Sequence, residues 1–290
     1  MSRTDRATRP FLAIAATVLA VLPGCTHRAI DQVDGALPIP AGVTSIRVEL
    51  ENGTLDVAPP EGAEQAAQLT YMGGVRMDAA DDQQLQQLVA SRHQLVAAVD
   101  AEDPTVLVVR GPQLPAGVQG MIAYEGHIRV PVAMPLEVVV ANNGHVTLVG
   151  RRAPSKVRTR RGDLRFDDCR AAIKATTGQG NVIAYDHRGD LDVRSQGGDM
   201  QAFVVEPGEV LTLSTGKGTV QCHVPESIDC RVEGRAEIGR IGNDFEFDVT
   251  KPSPYSAAMT GIRGGGRTKV VLRTAAGHIA MRRLQPRKSD

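Results

Sequence analysis

An all-β fold of stacked coils is what the sequence predicts: a single-domain β-solenoid of about 18 residues per coil, with one inserted amphipathic α-helix. Three observations predict it. Gly144, Gly162, Gly180 and Gly198 recur at intervals of 18 residues, and Gly218 follows after 20. Fixed offsets from each carry apolar residues: Val146, Leu164, Val182, Met200 and Val220 two residues on, and Leu148, Phe166, Ala184, Ala202 and Cys222 four residues on. Aromatic residues make up only 3% of the chain, with no Trp, against 30 glycines, so the core must be laid down in thin layers of Val, Leu, Ile and Ala. Strand side chains alternate faces, so the residues two and four after each glycine share an inner face. A unit this short cannot bury that face alone, and stacking units in register does so. A twisted β-sandwich of ordinary hairpins is the competing arrangement.

Residues 1–24 have the make-up of a secretory signal, with Arg3, Arg6 and Arg9 ahead of a 12-residue apolar run over 11–22. That run is short of the roughly 20 residues a spanning helix needs and matches a signal h-region. It ends in Leu22-Pro23-Gly24-Cys25, which resembles the bacterial lipobox, although Pro23 is not a favoured residue there. The resemblance implies lipidation of Cys25, which becomes the mature N-terminus; the plainer alternative is conventional cleavage beside an ordinary thiol. Thr26 in place of Asp implies, in that lipoprotein class, the outer membrane of a Gram-negative cell. No later segment is long and apolar enough to span a bilayer, so a lipid would be the anchor. Loss of three Arg and one Asp with the signal leaves a formal charge of −2, and bulk charge selects no partner.

Residues 25–42, with Pro38 and Pro40, read as the lipidated N-terminus and a short tether, and 43–284 as the folded domain. Ile46, Val48 and Leu50 alternate, and Asn52-Gly53 turns the chain into Leu55 and Val57. Over 79–99 the period changes. Leu85, Leu88, Val89, Leu95, Val96 and Val99 fall at helical spacing behind the acidic pair Asp81-Asp82, which predicts the inserted helix. Its apolar stripe fits packing on the first strands or capping the open end of the stack. Ile128, Val130, Val132 and then 136–140 lead into the regular region. There a second set of columns runs through Ile173, Leu191 and Leu211 and through Val157, Ala175, Val193 and Leu213, with Lys156, Lys174, Asp192 and Thr212 between them and outward. The pattern decays after Val220, and residues 285–290 read as a frayed tail.

The signal, the early alternating strands, the helical insertion, the stretch HIRVPVAMPLEVVVANNGHVTLVG over 127–150 and the repeated Gly-Asp/Asn-apolar turns together resemble the putative-adhesin families of bacterial envelope lipoproteins, including the head-GIN-type domain. The resemblance covers about residues 40–284 and implies a noncatalytic module facing the periplasm or the cell surface. It carries over no binding residues.

The chemistry-bearing residues are sparse. Residues 151–174 hold a basic cluster whose members Arg151, Arg152, Lys156, Arg158, Arg160, Arg161, Arg165 and Lys174 would gather on stacked rungs. Such a patch suits acidic glycans, lipopolysaccharide phosphates or an acidic face of another envelope protein. No aromatic platform accompanies it, so specific single-strand nucleic-acid binding is not expected. Cys222 and Cys230 share the inward phases of consecutive strands; a disulfide and a pair of free buried thiols both fit that placement. The seven histidines are scattered, neither cysteine arrangement has metal spacing, and no phosphate loop or nucleophile elbow is present, so neither cofactor nor metal is expected. Arg161-Gly162-Asp163 and Arg188-Gly189-Asp190 read as turn grammar before they read as adhesive tripeptides. Because β-helices also host polysaccharide lyases and hydrolases, Asp190, Asp192, Arg194 and Asp199 are the residues an enzyme reading would rest on.

Overall fold

The structure, a computed structural model, describes residues 27–60, 68–91 and 93–285. The signal sequence, Cys25 and residues 286–290 lie outside the described residues. The described chain is all-β apart from one helix, with its strands joined in one hydrogen-bonded sheet system.

The glycine repeat becomes two parallel ladders. In the first, Leu55, Val146, Leu164, Val182, Met200, Val220 and Ile279 lie rung on rung in one register. In the second, Ile46, Leu136, Ser155, Ile173, Leu191, Leu211, Val270 and Val232 do the same. The apolar side chains of both ladders belong to one buried cluster. Antiparallel pairing is confined to the two ends, in contrast to the hairpin-by-hairpin pairing of the sandwich alternative.

Close approach of backbones explains the glycines. Gly162, Gly180, Gly198 and Gly218 have φ of 138°, 153°, 125° and 138°, and a Cβ on each would lie 1.9 to 2.2 Å from the carbonyl oxygen of the glycine one rung back. Beside this stack runs a buried hydroxyl column. Thr159, Thr177, Thr215 and Thr274 donate to the carbonyls of Gly144, Gly162, Gly198 and Gly218 at 3.4, 3.1, 3.0 and 2.9 Å. Residues just after the glycines form a third column: side chains of Asp163, Asn181 and Asp199 accept from the backbone N–H of Asn181, Asp199 and Thr219 at 2.7, 2.9 and 2.7 Å. Buried backbone polar groups must find partners, and these columns supply them at each turn. A second corner recurs at Gly150, Asp168 and Asp186, with φ of 65°, 46° and 51°. Asp tolerates that left-handed region better than most residues.

Two expectations are corrected. The tether is not one, because His27–Pro38 is a strand paired antiparallel with Gln68–Ala79 and burying Ala29 and Val33. Its inward residues are too few to show as alternation, and Pro38 and Pro40 only mark where the pairing stops. The inserted helix is shorter than 79–99. It spans Asp82–Val89, capped by Asp81, whose carboxylate accepts from Gln84 N–H at 2.8 Å, and it buries Leu85 and Leu88 against the first strands. Val96–Val99 is instead an edge strand, paired with Val106–Arg110, whose four-residue length helical spacing cannot distinguish from a further turn.

Of the two arrangements that fit the Cys222 and Cys230 placement, the chain has the free thiols. Cys222 and Cys230 are both free and buried, as is Cys169, so the disulfide is not formed. Each is a small apolar filler of an inward column. Burial pushes Cys222 up to about 12 and Cys230 and Cys169 up to about 11. At pH 8 the folded domain is therefore expected to leave these three thiols unmodified by iodoacetamide, whereas unfolding in guanidinium exposes all three. Stoichiometric labelling before unfolding would contradict this.

His187 also fills the interior, fully buried, with Nε2 3.0 Å from the carbonyl of Asp190. Burial lowers its pKa, and hydrogen bonds of the ring to the backbone at Asp190 and Gly189 only partly offset that. A histidine whose folded pKa lies below its unfolded value of about 6.5 contributes stability that is fully present above pH 6.5 and is lost as pH falls towards the folded pKa. The urea midpoint should accordingly fall between pH 7.5 and 5.5, and His187→Gln should flatten that slope. A wild-type midpoint that stays level over the range contradicts the assignment.

Candidate functional site

The basic segment divides when the chain folds. Ser155–Arg161 and Ile173–Gln179 are adjacent in the second ladder, with Lys156 opposite Lys174 and Arg158 opposite Thr176. Because Val157, Thr159, Ile173 and Ala175 turn inward, Lys156, Arg158, Arg160 and Lys174 stand exposed on the outer face. Parallel neighbours lie about 4.8 Å apart, so the two lysines are like charges directly opposed, an arrangement that destabilises a sheet. On their other sides the register sets Glu137 against Lys156 and Asp192 against Lys174, but among the described residues neither these nor any other carboxylate forms an ion pair with Lys156, Arg158, Arg160, Arg161 or Lys174.

A shallow groove of about 540 Å³ runs along this face between Arg160, Arg161, Thr176, Gln179, Arg194 and Gln196. Arg161, at the turn, also borders a second hollow of about 480 Å³ shared with Arg76, Glu125 and His145. Arg152 is exposed at the corner before Ser155–Arg161.

Two members of the predicted patch sit elsewhere. Arg165 lies on the first ladder, where it is 2.7 Å from Asp167 and its guanidinium covers the Tyr185 ring at 5.2 Å. Arg151 is not on the surface. It is fully buried and donates to the carbonyls of Val130 and Pro131, at 3.3 and 3.0 Å, and of Met134. Backbone N–H groups of Met134, Arg152 and Ile46 meet the carbonyls of Pro131, Val132 and Pro135 in this loop, and Arg151 adds donors to those of Val130, Pro131 and Met134. Burial draws Arg151 down to about 10, which leaves it charged at neutral pH.

Arg194, Arg273 and Arg235 extend the basic face beyond the segment the sequence reading singled out. The 18-residue interval from Arg158 through Thr176 to Arg194 could have shown the first of them. Arg273 could not be placed because its coil stacks out of chain order.

The residues of the enzyme reading are committed to structure. The Asp190 carboxylate accepts from Glu209 and Val210 N–H at 2.7 and 2.9 Å, Asp192 is 3.1 Å from Arg194, and Asp199 accepts from Thr219 N–H. The same bonds take up both Arg-Gly-Asp triplets, since Asp163 accepts from Asn181 N–H and Arg188 pairs with Glu206 and Asp168. On the first ladder Tyr185, Phe203 and His223 stack with centroids 5.2 and 4.4 Å apart. Their faces cover one another, so mostly ring edges are left to solvent. Among the described residues no group of three His, Cys, Asp or Glu could hold a metal ion, and no helix is long and apolar enough to cross a membrane.

No family model matches the chain, and no curated protein matches it. Solved structures similar to it include two bacterial proteins. One is a putative cell adhesion protein from Clostridium sporogenes ATCC 15579, 13% identical, with 87% of this chain and 99% of that one covered and a TM-score of 0.36. The other is a putative adhesin from Bacteroides fragilis NCTC 9343, 8% identical, with 86% and 96% covered and a TM-score of 0.28. Likeness at this level carries neither ligand nor activity to this chain, and the resemblance to the putative-adhesin families rests on the short motifs alone.

Proposed function

We propose that this chain is a noncatalytic β-solenoid of the bacterial envelope, anchored by a lipid on Cys25, that acts in adhesion or envelope organisation by holding an anionic polymer on the outer face of its second ladder. The solenoid reading is supported by the two parallel ladders, in which Leu164 lies between Val146 and Val182 and Ile173 between Ser155 and Leu191.

One observation carries the binding proposal: Lys156 stacks on Lys174 beside Arg158, and none of the three forms an ion pair among the described residues, because the flanking Glu137 and Asp192 are paired with Arg47 and Arg194 instead. A sheet surface under no other demand intersperses its charges, as Arg47 does between Glu137 and Asp100 at 3.0 and 3.1 Å on the same ladder. Opposed like charges cost stability, and local rules are broken chiefly where function uses the result. The polysaccharide-active alternative needs carboxylates free for proton transfer. Asp190, Asp192 and Asp199 instead each carry a hydrogen bond or ion pair of the fold.

The test is a glycan and lipopolysaccharide array read at 50 and 300 mM salt, with wild type and the triple variant Lys156→Glu/Arg158→Glu/Lys174→Glu. Wild type should bind acidic ligands and weaken at least tenfold at the higher salt, and the triple variant should lose about a hundredfold at low salt. Silence of the wild type at both salts removes the proposal. For the anchor, Cys25→Ala should move the protein from the membrane fraction to the soluble one.

A further inference from the structure

The outer face of the second ladder has an order that a simple basic patch lacks. Its middle column reads Arg158, Thr176, Arg194, Ser214, Arg273, each residue directly paired with the next across the ladder. Arginine and hydroxyl alternate over these five positions, and Arg235 follows Arg273 directly at the end of the column. With about 4.8 Å between strands, cations recur about every 9.6 Å, with a hydrogen-bonding hydroxyl midway. Arg194 shares its charge with Asp192, while Arg158 and Arg273 have no acidic partner among the described residues. The next outward positions on the turn side are Arg160, Gly178, Gln196, Gly216 and Ala275, of which Gly178, Gly216 and Ala275 keep the surface beside the column low. The groove thus crosses the rungs of Arg160, Thr176 and Arg194, and the outward column continues past it through Ser214 to Arg273.

A compact phosphate cluster would meet one or two of these arginines and leave the rest idle. A linear polymer lying along the axis meets all of them if its acidic groups recur at twice the strand spacing. A sugar residue is comparable in length to one ladder step, so the matching repeat is a disaccharide with one carboxylate, the neutral sugar facing Thr176 or Ser214. Guanidinium groups take carboxylates in bidentate fashion, and the hydroxyls both donate and accept. Resting on the basic-face reading above, we infer that the ligand is a linear acidic glycan of alternating charged and neutral sugars, bound lengthwise along the second ladder.

Calorimetry with size-defined hyaluronan fragments, which alternate in this way, tests the inference, with polygalacturonate fragments and lipopolysaccharide micelles as comparison probes. Affinity for hyaluronan should rise steeply from disaccharide to about hexasaccharide, where the fragment reaches from Arg158 to Arg273, roughly 19 Å. Beyond that length it should level off. Arg158→Gln and Arg273→Gln should each weaken the hexasaccharide about fivefold to tenfold and together multiply, with unchanged thermal midpoints because both side chains are exposed. Equal affinity for short and long fragments, tighter binding of polygalacturonate at equal length, or indifference to Arg273→Gln while Arg158→Gln weakens binding would each overturn the lengthwise, alternating ligand and leave the basic face standing. Silence towards all three probes overturns both.

Discussion

Replacing Gly180 by alanine is expected to lower the stability of the domain by about 3–5 kcal/mol, combining backbone strain with overpacking in the middle of the stack. Its φ of 153° is one that side-chain-bearing residues rarely adopt, and the new Cβ would lie 2.1 Å from the carbonyl oxygen of Gly162, well inside contact distance. The neighbouring carbonyl cannot yield cheaply, because it also accepts from the buried hydroxyl of Thr177 at 3.1 Å. Moving one rung aside disturbs the next, where Gly198 stands in the same relation to Gly180. Gly117→Ala is the matched comparison: φ is 83° there, and nothing lies within 4 Å of the added carbon, so only the left-handed penalty of about 1–2 kcal/mol applies. Urea midpoints of the two variants decide the matter. Equal losses would mean that the glycine stack is a conformational preference and not a steric requirement.

The same column shows what the sequence made legible. Residues two and four after each glycine point inward as expected, and Lys156, Arg158 and Lys174 point outward, because both assignments need only a fixed turn and the two-residue alternation of a strand. The hydroxyl column was equally available, 15 residues after Gly144, Gly162 and Gly180 as Thr159, Thr177 and Ser195, but polar residues at inward phases are discounted when a core is read from hydrophobicity. What could not be read is order at the ends. Thr268–Ala276 lies between Met200–Lys217 and Cys230–Ile238, and the coil of residues 45–58 lies between strands of 106–129 and 136–149. Periodicity ranks strands by sequence, and here the terminal strands pair out of sequence order. The continuation of the basic column to Arg273 was hidden for that reason.

Arg151→Ala is expected to cost about 4 kcal/mol or more, as large as the glycine variant though no sterics are involved, because a buried hydrogen-bonded charge is replaced by a cavity and unmet acceptors. The guanidinium donates to three carbonyls of one loop, those of Val130, Pro131 and Met134, of which Pro131 also accepts from Met134 N–H. Water could reach these oxygens only if the loop opened, since Val130 and Pro131 are themselves buried. Arg151→Met separates the contributions: it restores most of the packed volume and none of the donors, so whatever stability it fails to recover belongs to the hydrogen bonds. Arg151→Lys should recover little, because one ammonium on a shorter reach cannot span three acceptors that a planar fork meets at once. If Arg151→Met were as stable as wild type, the carbonyls would be satisfied without the guanidinium, and the residue would be filling space alone. If instead Arg151→Met stays near Arg151→Ala, the loop is held by its donors. Thermal and urea midpoints of the three variants distinguish these results, and native-state hydrogen exchange should show the earliest loss of protection in the backbone around this loop.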